Sequence, residues 1–209
     1  MTERPILFSG PMVRAILEGR KTMTRRVFKP ENIVIDEYPG GGLRYRTYAR
    51  KDGDLYETGV GSFSPGNWLH YCPYGVPGDR LWVKETWADE HPFDGQILYR
   101  ERDEYRAPER WTPSIFLPRK YSRILLEVIS VRVERVQDIS EEDAIAEGMI
   151  KWTPADRECW AHYEYEPGLA GRATAKGAFW YLWDSINAKR GFGWDANPFV
   201  WVVEFRRIS

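Results

Sequence analysis

Residues 122–136 read Ser-Arg-Ile-Leu-Leu-Glu-Val-Ile-Ser-Val-Arg-Val-Glu-Arg-Val, and this stretch is the clearest strand signal in the chain. Apolar residues take alternate positions in two series, which are Ile124, Leu126 and Val128, then Val131 and Val133. Alternation of this kind is typical of a β-strand with one buried face. The two series are one residue out of phase, so the pattern also predicts a β-bulge near Ile129 and Ser130.

A short helix is predicted directly after this strand. Ser140 can cap its N-terminus, and Asp143 follows at the third helical position in the acidic role of a capping box. The helix would end just before Gly148 and leave Glu147 at its C-terminal end. A carboxylate there usually faces solvent, but the helix dipole does not favour it at that end. The conflict is a weak indication that Glu147 has a local role.

The elements outward from this strand and helix mix both types. Strands are expected at 5–8, 22–28, 80–87, 96–99 and 199–205, and amphipathic helices at 10–18 and 179–186. A Gly-rich segment at 31–70 is expected to form an inserted hairpin or a long loop. A chain that is mostly strand with a few packed helices is typical of an α+β protein or a small barrel.

Composition narrows the function classes. The 209 residues are 43% hydrophobic and 29% charged, which is ordinary for a globular protein. No apolar run is long enough to span a membrane, and the N-terminus lacks the features of a secretory signal, so a cytoplasmic protein is expected. Two distant cysteines and three histidines argue against a structural zinc site, and neither a metal nor another cofactor is expected.

Charge is balanced overall but uneven locally. The net charge of −1 gives no whole-molecule attraction for nucleic acid. Residues 12–30, however, contain a single acid and six basic residues, which are Arg14, Arg20, Lys21, Arg25, Arg26 and Lys29. This segment could contact a phosphate, or it could be a solvated edge of the protein.

The first candidate for chemistry is Gly19-Arg-Lys-Thr-Met-Thr24, where a helix is expected to end and a strand to begin. A lysine in a partly dry cleft has a lowered pKa and can act as a base. A threonine hydroxyl becomes a nucleophile when a base takes its proton. Lys21 and Thr24 could therefore act together. The alternative is that Lys21 lies on the surface and Thr24 is an ordinary strand residue.

The second candidate is the strand at 80–87. Trp82 and Lys84 share one face of this strand, and Glu85 follows them. A mixed polar and aromatic face suits a pocket in which a base stacks, and equally suits ordinary core packing. The C-terminal tryptophans are expected in the core, namely Trp180, Trp183, Trp194 and Trp201. No nucleotide-hydrolysing, esterase or dinucleotide-binding motif occurs.

Three blocks of sequence together resemble the ASCH family of the PUA-like superfamily. They are Ile16-Leu-Glu-Gly-Arg-Lys-Thr-Met-Thr-Arg-Arg26, Pro77-Gly-Asp-Arg-Leu-Trp-Val83 and Val136-Gln-Asp-Ile-Ser-Glu-Glu-Asp-Ala-Ile-Ala-Glu-Gly148. Chains that look like the whole sequence are found among phage and prophage proteins. The resemblance implies an α+β fold built on a PUA-like β-barrel with flanking helices and inserted loops or hairpins. It also implies a single domain over 1–209, with insertions near 31–70, 88–115 and 151–176.

The same resemblance implies a function. The family pattern Gly-x-Lys-x-x-Glu/Asp is matched by Gly19 and Lys21, whereas Thr24 is the form found in the N4-acetylcytidine amidohydrolase branch. The implied catalytic set is Lys21, Thr24 and Glu147. The implied activity is hydrolysis of an amide on a modified nucleoside or a similar small acylated base. The candidate ligand contacts are Arg20, Arg25, Arg26, Trp82, Lys84 and Glu85.

Two other functions stay open at this point, a non-catalytic module that binds RNA or single-stranded nucleic acid, and a ribonuclease. Geometry separates these readings. An enzyme needs Lys21 and Thr24 close together in a closed-bottomed pocket. A nucleic-acid binder needs an open groove edged by cations, for which the candidates are Arg14, Arg20, Arg25, Arg26, Arg119, Lys120 and Arg123.

Overall fold

The computed structural model describes the chain apart from residues 30–32, 38–42, 52–53, 63–70, 90–95, 103–107, 154–158 and 163–170. Its α-helices are α1 (Gly10–Leu17), α2 (Glu141–Ala146) and α3 (Ala175–Asn187). Its strands are β1 (Glu3–Leu7), β2 (Met23–Val27), β3 (Ile33–Glu37), β4 (Leu43–Lys51), β5 (Asp54–Ser62), β6 (Arg80–Lys84), β7 (Trp87–Asp89), β8 (Ile97–Tyr99), β9 (Leu125–Arg135), β10 (Met149–Trp152), β11 (Cys159–His162) and β12 (Phe199–Arg207).

A mixed five-stranded sheet with the order β1-β6-β9-β12-β2 forms the centre of the fold. The β1–β6 pair is parallel and the other three pairs are antiparallel. The predicted α+β class is confirmed. Within the described residues β2 is an edge strand, and no strand pairing closes the sheet from β1 to β2. This edge matters for function, because the candidate site forms beside it.

The β-bulge predicted in β9 is present. Glu204 of β12 pairs with Ser130, whereas the next residue, Phe205, pairs with Val128. Ile129 is therefore the extra residue, and its side chain is exposed. The bulge moves the buried series from Leu126 and Val128 to Val131, which is the phase shift seen in the sequence.

The sheet has an apolar core on each face. Trp201 and Val203 of β12 pack on one face with Val13 and Ile16 of α1. Val200 and Val202 point to the other face and pack beneath α2 and α3. Alternate residues of one strand thus serve two cores, as the period of two requires. No helix in the described ranges is both long and apolar enough to cross a membrane.

Helix α2 is capped as predicted, and it also caps α3. Ser140 Oγ accepts a hydrogen bond from the Asp143 N–H at 3.1 Å. Glu141 Oε2 in turn accepts from the N–H groups of Ala175 and Lys176 at 2.7 and 3.3 Å. Those amides lie in the first turn of α3, where N–H groups lack partners within the helix. One carboxylate therefore links the N-terminal ends of the two helices.

Three smaller sheets accompany the central one. They are β3-β4-β5, β7-β8 and β10-β11, and each is hydrogen-bonded separately from the five-stranded sheet. They fall largely within the segments expected to be insertions, parts of which lie outside the described residues. The β10–β11 pair was not predicted, because its residues are embedded in a polar segment. The single-domain organisation with insertions stays a prediction.

Candidate functional site

Lys21 and Glu147, which are 126 residues apart in sequence, form a buried ion pair. Lys21 Nζ donates to Glu147 Oε2 at 2.7 Å and to the Glu147 carbonyl oxygen at 2.9 Å. The two side chains expose 0% and 4% of their surface. This arrangement excludes the alternative that Lys21 lies on the surface, and it brings together two of the three residues of the expected catalytic set.

The backbone around Lys21 explains its position. Gly19 ends α1 with φ +75°, a conformation that favours glycine. The N–H groups of Arg20 and Lys21 then donate to the Ala15 carbonyl, which turns the chain back toward the helix. The Thr22 N–H donates to the Ala146 carbonyl at 2.9 Å, so the approach to β2 is tied to the end of α2.

Glu147 has a second cationic partner. Arg25 Nη1 lies 3.4 Å from Glu147 Oε1, and its Nη2 contacts carboxylate oxygens of Glu134 and Asp143 at 2.5 Å each. Arg132 also donates to Glu134 and Asp143. We call these residues the ion-pair cluster, namely Lys21, Arg25, Arg132, Glu134, Asp143 and Glu147. Its three cations and three carboxylates balance, as buried charge requires.

The surroundings of Lys21 shift its pKa below that of a lysine in water. Burial lowers the pKa of Lys21 from its ordinary value of 10.5, whereas Glu147 raises it. The positive charges of Arg26 and Arg25 lower it further, and the net direction is downward. A lysine with a lowered pKa is neutral more of the time near pH 7 and can accept a proton.

A cavity of about 550 Å³ opens beside β2, within the usual size range of ligand pockets. Thr24, Arg25 and Glu147 contribute to its wall, whereas Lys21 is not among the described lining residues. The rest of the wall is largely apolar and aromatic. Its described members are Met12, Arg26, Val27, Lys29, Tyr71, Pro73, Tyr74, Phe179, Leu182, Trp183, Ile186, Asn187, Arg190 and Trp201.

Of the other predicted ligand contacts, Arg25 and Arg26 are among the described lining residues of the cavity, and the rest lie elsewhere. Arg20 pairs with Glu18 at 2.5 Å. Arg25 reaches the cavity wall, but its guanidinium is fully buried in the ion-pair cluster. Trp82, Lys84 and Glu85 do not line the cavity, because β6 and β2 are separated by β9 and β12.

The strand face proposed for base stacking makes internal contacts instead. Lys84 Nζ donates to the Ile115 carbonyl at 2.7 Å and lies 5.2 Å from the centre of the Trp82 ring. Glu85 is 1% exposed and accepts two hydrogen bonds from Arg123 at 2.9 and 2.8 Å. Burial raises the pKa of Glu85, and Arg123 lowers it.

Most of the cations expected to edge an open groove are already paired with acids. The pairs within the described chain are Arg14–Glu101, Arg20–Glu18, Arg119–Glu3 and Arg123–Glu85, in addition to Arg25 in the ion-pair cluster. Of these candidates, only Arg25 and Arg26 are among the described lining residues of the cavity, and Arg25 is held in the ion-pair cluster. The groove expected for a nucleic-acid binder is therefore weakly supported.

Two parts of the cavity were missed by reasoning from sequence. The sequence analysis assigned α3 to core packing, yet the apolar side of this helix also lines the cavity. Trp183 of α3 and Trp201 of β12 are buried in the core and also contribute to the cavity wall. Of the tryptophans expected in the core, Trp180 is 46% exposed. The available signal was Asn187, a buried amide at the end of the apolar stripe of α3. The loop at 71–74 carried no such signal.

Comparisons of the chain with protein-family models, curated proteins and solved structures find no match. In the described ranges, no group of three or more His, Cys, Asp or Glu side chains is arranged to hold a metal ion. The arrangement of the site itself therefore carries the functional argument. Glu147 and Thr24 line one aromatic cavity, and the buried Lys21 is bonded to Glu147 behind that wall.

Proposed function

We propose that the chain is an ASCH-type protein with a PUA-like barrel that hydrolyses an amide on a modified nucleoside or a similar acylated base. One observation carries the proposal, the buried Lys21–Glu147 pair beside a cavity whose wall includes Thr24. A buried lysine with a lowered pKa next to a ligand-sized cavity is typical of a functional site. The mixed five-stranded sheet supports the fold at the level of its class.

Thr24 is the proposed nucleophile. Its hydroxyl oxygen attacks the amide carbonyl carbon while the neutral Lys21 amine takes the hydroxyl proton. The tetrahedral intermediate then collapses, the C–N bond breaks, and the leaving amine receives that proton from Lys21. The product of this half-reaction is an acyl ester on Thr24 together with the free base.

Water completes the cycle. Lys21 removes a proton from a water molecule, which attacks the ester carbon, and the Thr24 oxygen leaves and regains a proton. A carboxylic acid is released and no proton is gained or lost by the protein. Glu147 holds the Lys21 amine in place through two hydrogen bonds and stabilises its charged form between the steps.

The cavity suits a flat, partly polar ligand. Tyr74, Phe179 and Trp183 contribute aromatic side chains to its wall. Nucleobases stack on aromatic rings, and each such contact contributes about 1–3 kcal/mol. Asn187 adds an amide group, which can form hydrogen bonds with the edge of a base.

The decisive experiment incubates the protein with a panel of N-acylated nucleosides, including N4-acetylcytidine, and detects deacylated products by mass spectrometry. Thr24→Val removes the nucleophile at nearly constant volume and should abolish turnover. Thr22→Val is the matched control, because Thr22 is exposed and lies outside the described cavity wall. Equal turnover in the Thr24→Val variant would exclude threonine as the nucleophile. An acyl-sized mass on the peptide containing Thr24 would support the covalent step.

A further inference from the structure

The cavity carries positive charge that the proposed chemistry does not use. Arg26, Lys29 and Arg190 contribute to its wall, and Glu147 is the one acid among the described lining residues. Glu147 is already neutralised within the ion-pair cluster, by Lys21 and Arg25. The described lining therefore has three surplus positive charges.

These three cations are not bound to acids of the described chain. None of the ion pairs formed by the described residues includes Arg26, Lys29 or Arg190. Arg26 Nη2 donates to the Leu7 carbonyl at 2.5 Å, while its Nε is buried and has no hydrogen-bond partner in the described part of the chain. A buried donor without a partner is costly, and such groups are usually satisfied by an ordered water or an ion.

The three groups also have neighbours in common. Arg26 and Arg190 both lower the pKa of the partly buried Tyr74, another residue of the wall, against the rise that burial causes. Lys29 follows β2 and places its Nζ 4.0 Å from the centre of the Phe192 ring, two residues after Arg190. Arg26 lies two residues beyond Thr24, about 7 Å along the strand.

We infer that Arg26, Lys29 and Arg190 form a phosphate-binding subsite, so that the ligand of the cavity is a nucleotide rather than a free nucleoside. The inference rests on the proposed function for the base and acyl group, and on the charge of the wall for the phosphate. Arginine guanidinium groups bind phosphate oxygens in pairs of hydrogen bonds, and lysine adds a point charge. The phosphate can belong to a free nucleotide or to a nucleic-acid strand, and both present the same group.

The test compares the four ribonucleosides with their 5′-monophosphates by isothermal titration calorimetry, without any need for turnover. At least one nucleotide should bind on the order of tenfold more tightly than its nucleoside. Arg26→Gln, Lys29→Gln and Arg190→Gln should each remove most of that preference and leave nucleoside affinity within about twofold. Lys189→Gln is the matched control, because Lys189 is adjacent to Arg190 and equally exposed but lies outside the described wall.

The inference is overturned if no nucleotide binds more tightly than its nucleoside, or if Lys189→Gln has the same effect as Arg190→Gln. A short oligonucleotide identifies the source of the phosphate. Tighter binding of the oligonucleotide than of the mononucleotide indicates a strand, and equal binding indicates a free nucleotide; both support the subsite.

The phosphate subsite and the amidohydrolase activity are tested independently of each other. If nucleotides bind through the three cations but no acylated substrate is cleaved, the amidohydrolase proposal falls and the phosphate subsite stands. If acylated nucleosides are cleaved and a phosphate adds no affinity, the subsite falls and the amidohydrolase proposal stands.

Discussion

Two buried ion pairs flank the central sheet, and they differ in what their cations can do. In the first pair, Lys21 lies just before the edge strand β2 and its partner Glu147 lines the cavity. In the second pair, Glu85 lies just after β6, and neither Glu85 nor its partner Arg123 is among the described lining residues. Their closest N–O distances are similar, at 2.7 and 2.8 Å. The first cation is an amine and the second is a guanidinium, and only an amine can act as a base near neutral pH.

The two pairs also differ in the partner whose pKa is shifted by burial. In the first pair burial lowers the pKa of Lys21, and in the second it raises the pKa of Glu85. Arg123 remains 22% exposed, so water still reaches its charge. Two ion pairs of similar length therefore differ in the type and the burial of their cation, and only the Lys21–Glu147 pair contains a group that could act as a base.

The largest expected effect comes from exchanging the cation types. Lys21→Arg keeps the positive charge but removes the base, so turnover of an acylated nucleoside should fall by a factor of about 10² to 10⁴. Arg123→Lys should leave turnover within about twofold. Steady-state kinetics measure both, with circular dichroism and nucleoside affinity as checks that Lys21→Arg still folds and binds. Full turnover by Lys21→Arg would remove the distinction between the two pairs.

The next effect concerns stability. Glu147→Gln leaves Lys21 buried without its carboxylate, and the expected loss is about 3 kcal/mol, at the lower end for a broken buried pair because Lys21 can release its proton. Glu85→Gln should cost less, about 1–2 kcal/mol, since the charge of Arg123 is partly hydrated. Urea denaturation of both variants provides the values. A larger loss for Glu85→Gln would reverse the ranking of the two sites.

The pH dependence of stability should have opposite signs at the two pairs. Lys21 has a folded pKa below 10.5, so the unfolded chain binds more protons between those values and stability rises with pH in that window. Glu85 has a folded pKa above 4.5, so its contribution is present at low pH and is lost as pH rises through the folded value. Each slope is at most about 1.4 kcal/mol per pH unit.

Urea denaturation from about pH 4.5 to 10 measures these slopes, with Lys21→Met and Glu85→Gln as references that lack one titrating group each. The stability of the wild type relative to Lys21→Met should increase toward high pH. Relative to Glu85→Gln it should decrease above pH 4.5. Slopes of the same sign would mean that burial does not control both groups.

The smallest expected effect lies at the margin of the ion-pair cluster. Arg132 contacts Glu134 and Asp143 but keeps 38% of its side chain exposed. Arg132→Gln should therefore cost less than about 1 kcal/mol, as for other exposed pairs. Arg25→Gln removes a fully buried positive charge and should therefore cost several times more free energy of unfolding. Thermal unfolding of the two variants checks this contrast. Equal losses of stability would show that burial does not determine how much each residue of the cluster contributes.

Much of the fold could be predicted because its signals are local. The alternation in β9, its bulge at Ile129, the cap at Ser140 and the turn at Gly19 each depend on a few neighbouring residues. The resemblance added Glu147, which local reasoning supported only weakly, and the structure brings it within hydrogen-bond distance of Lys21.

The rest depends on contacts that no local pattern contains. Arg25 was assigned to the ligand because it belongs to a basic segment, but its acidic partners lie more than a hundred residues away. Trp82 and Lys84 were assigned to the ligand because they share one face of β6, but two strands of the sheet separate β6 from β2. The role of α3 in the cavity was hidden, because one apolar stripe served both a core and a pocket.

The carboxylate of Glu141 couples the two helices mechanically. Helix α2 ends at Ala146, directly before Glu147, and its first residue is bonded to the first turn of α3. Later residues of α3 line the cavity. A ligand that pushes against α3 must either stretch those bonds or carry α2 with it, and α2 carries the carboxylate that holds Lys21. We therefore expect that a ligand bound in the cavity displaces Lys21. The exchange rate of the Ala175 amide hydrogen, measured with and without ligand, would record how stiff that linkage is.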